Sequence, residues 1–158
     1  MVDILLPPEN WHTALVYLIL HHRLAPTTGT PEIYHSIEDV WAKTINIIGT
    51  LARLTNDKDR DIAYSFEASL MRLPSHHSSQ AKLLPELTWR EFQTDLSKIA
   101  VATLKVKQTL IAACLEILNN QRQIPIESAD LMRSIAILLD CPIPPRLDKL
   151  PTRQRTIR

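Results

Sequence analysis

Glycine is nearly missing from this chain, with two in 158 residues. A phosphate-cradling loop needs several glycines so that backbone N–H groups can close on the ligand, and neither GxxxxGK[ST] nor GxGxxG occurs. Nucleotide enzymes of the usual kinds are thereby disfavoured. Aromatic residues are also few, at 5 %, which argues against a turn-rich β-sandwich and for packed helices. Charge of one sign is not in excess: 18 Lys and Arg against 17 Asp and Glu leave a net charge of +1. No global field therefore favours nucleic acid or an acidic substrate. The two cysteines, Cys114 and Cys141, make neither a disulfide framework nor a CxxC pair, so a reducing, cytoplasmic setting is expected. The most apolar N-terminal run, residues 14–20, is far shorter than the roughly 20 residues that span a bilayer. With no basic segment before it and no small-x-small site after it, a secretion signal is not expected either.

What is present is a 45 % hydrophobic composition distributed at helical spacing. The expectation is an all-α, compact bundle of five to six helices, a single domain over residues 1–145 followed by a basic, frayed tail over 146–158. A first helix is expected over 9–23, after Pro7 and Pro8, with Leu15, Leu18, Ile19 and His22 on one face. Thr30 reads as an N-cap with Pro31 behind it, opening a helix to about Leu54 with the stripe Ile37, Trp41, Ile45, Ile48 and Ala52. After a turn at Asn56 and Asp57, a third helix carries Ile62, Phe66 and Leu70 inward and ends before Pro74. The polar stretch 75–80 reads as an exposed loop. From Thr88, Phe92, Leu96 and Ile99 repeat at helical spacing. The pattern resumes beyond Thr103 with Leu110, Cys114 and Leu118, as one long helix or two. A last helix over 126–139 presents Leu131, Ile135 and Leu138 and stops at Cys141-Pro142-Ile143-Pro144-Pro145, because proline cannot continue the hydrogen-bond ladder.

A zinc peptidase needs two histidines one helical turn apart with a glutamate between them, so that both imidazoles aim at one ion. None of His12, His21, His22, His35, His76 and His77 stands in such a motif. His12 and His35 could meet only if neighbouring helices bring them together. The turn 119–123 joins two helices but lacks the carboxylates and glycine of a calcium loop. Cys114, inside the apolar run 110–118, reads as a small buried hydrophobe. Cys141, beside a proline at a helix end, reads as the more exposed and more reactive thiol. Arg146, Lys149, Arg153, Arg155 and Arg158 read as a solvated tail, with no interleaved aromatics for base stacking. Trp11, Trp41 and Trp89 read as packing anchors. No catalytic, cofactor or metal residue is assigned.

Residues 107–145 carry a more specific pattern. Lys107, Leu110, Ala113 and Cys114 are followed by a short turn, then Leu131, Met132, Arg133, Ile135 and Ala136, and a closing Cys141, Pro142, Pro144 and Pro145. This stretch resembles the C-terminal helical region of bacterial HtpX-like membrane zinc metallopeptidases, related to the CAAX prenyl protease type, and its helix pair resembles TerB-like domains. Where those families carry Asp-Gly in the turn, this chain has Gln121-Arg122, and Ser128 replaces an acid early in the last helix. The HExxH core lies upstream in that family and is absent from these residues. The resemblance implies a non-catalytic interaction or regulatory module whose protein partner is a membrane metallopeptidase, or alternatively a TerB-like metal-binding stress protein. The expected contact surface is Asp130, Arg133 and the turn Cys141, Pro142, Pro144 and Pro145, because a proline-stiffened segment docks with little loss of entropy.

Overall fold

The computed structural model describes residues 11–24, 32–74, 81–148 and 152–153. Six α-helices account for most of them: α1 (Trp11–Leu24), α2 (Trp41–Thr55), α3 (Asp59–Leu70), α4 (Trp89–Ile99), α5 (Leu104–Asn119) and α6 (Ile126–Leu138). Short 3-10 turns occupy Ile37–Val40 and Pro145–Asp148. β pairing among the described residues is confined to one two-residue ladder and one isolated bridge. Ile124–Pro125 (β1) runs parallel to Thr152–Arg153 (β2), and Tyr34 bridges Ala102. The all-α expectation holds.

The helices are set by their apolar faces. α2 packs on α3, α4, α5 and α6, α3 on α5, and α1 on α6. Ile47, Ile48 and Leu51 of α2, Phe92 of α4, Leu110 and Ile117 of α5 and Leu131 and Ile135 of α6 are fully buried. Each such side chain contributes about 1.5–3 kcal/mol by leaving water. No residue of α6 is exposed, so this helix is the spine of the bundle rather than a surface element. Polar links add register: Asn46 Nδ2 donates to Asp95 Oδ2 at 2.7 Å, tying α2 to α4. The buried Ser69 hydroxyl donates to the Ala113 carbonyl at 2.6 Å, tying α3 to α5. Trp41 and Trp89 are half-buried against the core, as expected of packing anchors, and the Trp89 and Phe92 rings stack with centroids 5.7 Å apart. The side chains of Trp11 and His12 lie outside the described residues, and so do the loop 75–80 and the start at Thr30 and Pro31.

The second helix starts later than its sequence pattern suggests. Residues 32–35 are not helical; Ser36 is the N-cap of the 3-10 turn Ile37–Val40, which runs directly into α2 at Trp41. The Ser36 side chain accepts from the Glu38 N–H, and the Asp39 carboxylate accepts from the Ser36 N–H, satisfying donors that the first turn leaves orphaned. The preceding segment pairs elsewhere: the Ile33 N–H donates to the Val101 carbonyl and the Thr103 N–H to the Tyr34 carbonyl, both at 2.8 Å. These bonds hold the chain between Ile99 and Leu104 out of helical geometry, so α4 and α5 are two helices. Near the C-terminus, Leu147 is only 2 % exposed and Thr152–Arg153 pairs with β1. Packing thus continues past residue 145, where the sequence suggested a tail begins.

Candidate functional site

At the end of α6 the chain turns through a left-handed residue. Leu139 is the C-cap, and Asp140, with φ of 53°, follows it. The Cys141 N–H donates to the Ala136 carbonyl at 2.9 Å and the Asp140 N–H to the Ile137 carbonyl at 3.1 Å. This pair of bonds is a Schellman closure, which satisfies two terminal carbonyls and folds the next side chain back on the helix. Cys141 is therefore buried, 8 % exposed, with its thiol toward the Leu139 carbonyl. The expectation of an exposed, reactive Cys141 is corrected by this closure. Burial raises its pKa; the Asp140 carboxylate adds to the rise and Lys107 opposes it. Cys114 is fully buried as expected, and burial pushes its thiol up to about 12. Neither thiol has the lowered pKa of a nucleophile.

The closure leaves Pro142, Ile143 and Pro145 exposed while Pro144 is buried. Asp130 and Arg133, the other half of the expected surface, are bonded to each other at 3.0 Å on the half-buried flank of α6. About 8 Å of helix axis separates Arg133 from the end of α6. On the other side, His22 Nε2 lies 3.1 Å from Asp140 Oδ1, which joins the C-terminal end of α1 to this turn. The solvent face of α1 carries Val16, Tyr17, Leu20 and Leu24, all at least 45 % exposed, at the spacing of one helical stripe. Its inner face, with Leu15 and Leu18 buried, is the face the sequence pattern indicated. An exposed apolar row beside a stiff proline turn is a feature soluble surfaces seldom keep without use.

A second feature lies at the other end of α6. A groove of about 650 Å³ runs between the α2–α3 junction and the turn after α5. Asn56 forms its floor, 7 % exposed. Its Nδ2 donates to the Ala52 carbonyl at 2.9 Å and to Ser65 Oγ at 3.1 Å, and its Oδ1 accepts from Gln121 Nε2 at 3.0 Å. Tyr64, Arg122 and Gln123 stand exposed along the walls. Asn56 and 119–123 were both legible as turns; nothing local in the sequence says that they meet across 65 residues.

Among the described residues no group of three or more His, Cys, Asp or Glu side chains is placed to hold a metal ion, and no helix is long and apolar enough to cross a membrane. Comparison with known protein families, curated proteins and solved structures finds no match for this chain.

Proposed function

We propose that this chain is a non-catalytic helical module that binds and regulates a protein partner, with a TerB-like helix pair at its C-terminal end, and that the partner is a membrane zinc metallopeptidase met on the cytoplasmic side. The pattern of residues 107–145 supports the choice of partner. The observation that carries the interaction role is the surface at the end of α6: Pro142, Ile143 and Pro145 project from a turn clamped by the Schellman bonds and by buried Cys141 and Pro144. The turn is thus ordered before any partner arrives, so docking loses little conformational entropy, and the apolar row of α1 extends the contact area.

Two measurements test this reading. Extract of native cells, separated into membrane and soluble fractions, is probed with an antibody against the chain. The reading predicts that the antigen sediments with the membranes through its partner. An antigen wholly in the soluble fraction, bound to nothing, contradicts it. The purified chain is also incubated with casein, with and without a chelator; chelator-sensitive cleavage by the chain itself would overturn the non-catalytic role.

A further inference from the structure

Helix α1 is apolar on both faces: Leu15 and Leu18 are buried against the bundle, while Val16, Tyr17, Leu20 and Leu24 face solvent. We propose that this outer row is a lipid-binding face, by which the chain lies on an anionic membrane surface. The inference goes beyond docking at residues 142–145 and is argued without any protein partner. A chain held at a membrane by α1 presents that turn to whatever the membrane holds.

Three observations point this way. The first is the order of side chains around the helix. At 3.6 residues per turn, Val16, Leu20, Leu24 and Tyr17 fill an arc of about 100°, with Thr13 the exposed polar residue inside it. Arg23 borders the arc beside Val16 and His21 borders it beside Tyr17, both exposed. A helix lying in a membrane interface is built this way. Its apolar side chains enter the acyl boundary, an arginine at the edge lays its stem on apolar surface and its head among phosphates, and a tyrosine sits at headgroup level. The second observation is charge. The sequence has no acid between Glu9 and Glu32. Helix α6, on which α1 packs, exposes none of its residues. The exposed carboxylate that does reach α1, Asp140, is engaged by His22 at 3.1 Å. The row therefore offers anionic lipid a cationic edge with no acid of its own helix to oppose it. The third is length. With 14 residues, α1 spans about 21 Å, too short for the roughly 30 Å hydrocarbon core, so it lies along the surface. A second copy of the chain fits the row less well. Pairing two such faces sets Arg23 and His21 of both copies together with no acid on α1 to offset them.

The full chain is mixed with vesicles of phosphatidylcholine, alone or with phosphatidylglycerol, and the bound fraction is read by sedimentation. Binding is expected to the mixed vesicles. It should weaken about fivefold for Arg23→Gln and about tenfold for Leu20→Ser combined with Leu24→Ser. Met71→Ser, which alters an 86 % exposed side chain at the end of α3, should leave it unchanged and so separate a lipid face from general stickiness. Thermal unfolding of each variant should match that of the unaltered chain, because the altered side chains are exposed. A nitroxide on Val16→Cys, with Cys114 and Cys141 buried, should pass from water into the oxygen-rich acyl region when mixed vesicles are added. This readout does not depend on a loss of binding. No binding to mixed vesicles overturns the proposal, as do equal binding to both vesicle types, full binding by the α1 variants, or a label that stays in water. A label already shielded before lipid is added, in a chain that runs as a dimer, overturns it in favour of a second copy. The vesicles hold no protein, so each of these outcomes is separate from the fate of the docking turn at Ile143.

Discussion

Asp140 holds a conformation, φ of 53°, that costs an L-residue with a side chain and that glycine adopts freely. It also places a carboxylate at the negative end of the α6 dipole. Asp140→Gly should therefore stabilise the fold by about 0.5–1 kcal/mol despite losing the exposed His22 contact, which is worth little. A rise in the urea midpoint checks it. The same closure governs Cys141. Neither thiol should react with a disulfide reagent within minutes in the native protein, and both should react in denaturant. Cys114 adds a pH dependence. Its folded pKa of about 12 lies above the ordinary 9.0, so between these values the unfolded chain has lost a proton that the folded chain keeps. Stability is then intact below pH 9.0 and falls above it, by about 1.4 kcal/mol per pH unit. Urea unfolding at about pH 8 and about pH 10 should show a steeper loss for the unaltered chain than for Cys114→Ala. The burial of Cys114 was legible because it sits in an apolar helical run. That of Cys141 was not, because a left-handed aspartate has no sequence signature as clear as glycine, and the prolines beyond it suggest solvent.

Helix α4 begins at a capping box: Thr88 Oγ1 accepts from the Glu91 N–H at 3.3 Å, and the Glu91 carboxylate accepts from the Thr88 N–H at 2.8 Å. Thr88→Ala should cost about 1 kcal/mol, read from thermal unfolding. The backbone hydrogen bond from Thr88, followed by that from its side chain, lowers the pKa of Glu91 below its ordinary 4.5. Its contribution is present above that value and lost as pH falls through the lower, folded one. Glu91→Gln should therefore flatten the acid limb of the stability profile. This start was legible from Thr88 and the periodicity behind it. The start of α2 at Trp41 was not, since Thr30-Pro31 is an equally good local signal, whereas 33–34 is engaged with 101–103 and the capping box at Ser36 opens a 3-10 turn ahead of the helix. That pairing spans the sequence and leaves no periodic trace. Gly49, within α2, is a further long-range case. A Cβ there would stand 3.1 Å from Leu83 Cδ1, so the missing side chain makes room for Leu83 against α2.

Among the described residues a hydrophobic core runs from Leu15 to Leu147. Leu147→Ala should destabilise by about 2–4 kcal/mol, and a chain ended after residue 145 should melt at a lower temperature than the full one. A chain that ignores both changes would show that the packing of 147 is incidental. The fold class was readable because amphipathic periodicity is local. Where the six helices leave apolar or polar surface exposed was not, because exposure depends on which faces pair. The outer row of α1 and the Asn56 groove emerge only once α1 lies on α6 and the α2–α3 junction meets the turn at 121. Docking at the end of α6 is tested most directly by a photoreactive phenylalanine analogue placed at Ile143 of the chain in its native cells. The adduct is then identified by mass spectrometry. The account predicts that the cross-linked peptides, in the same or another chain, belong to a membrane zinc metallopeptidase bearing HExxH. Cross-links only to proteins without that motif, or none at all, would contradict it.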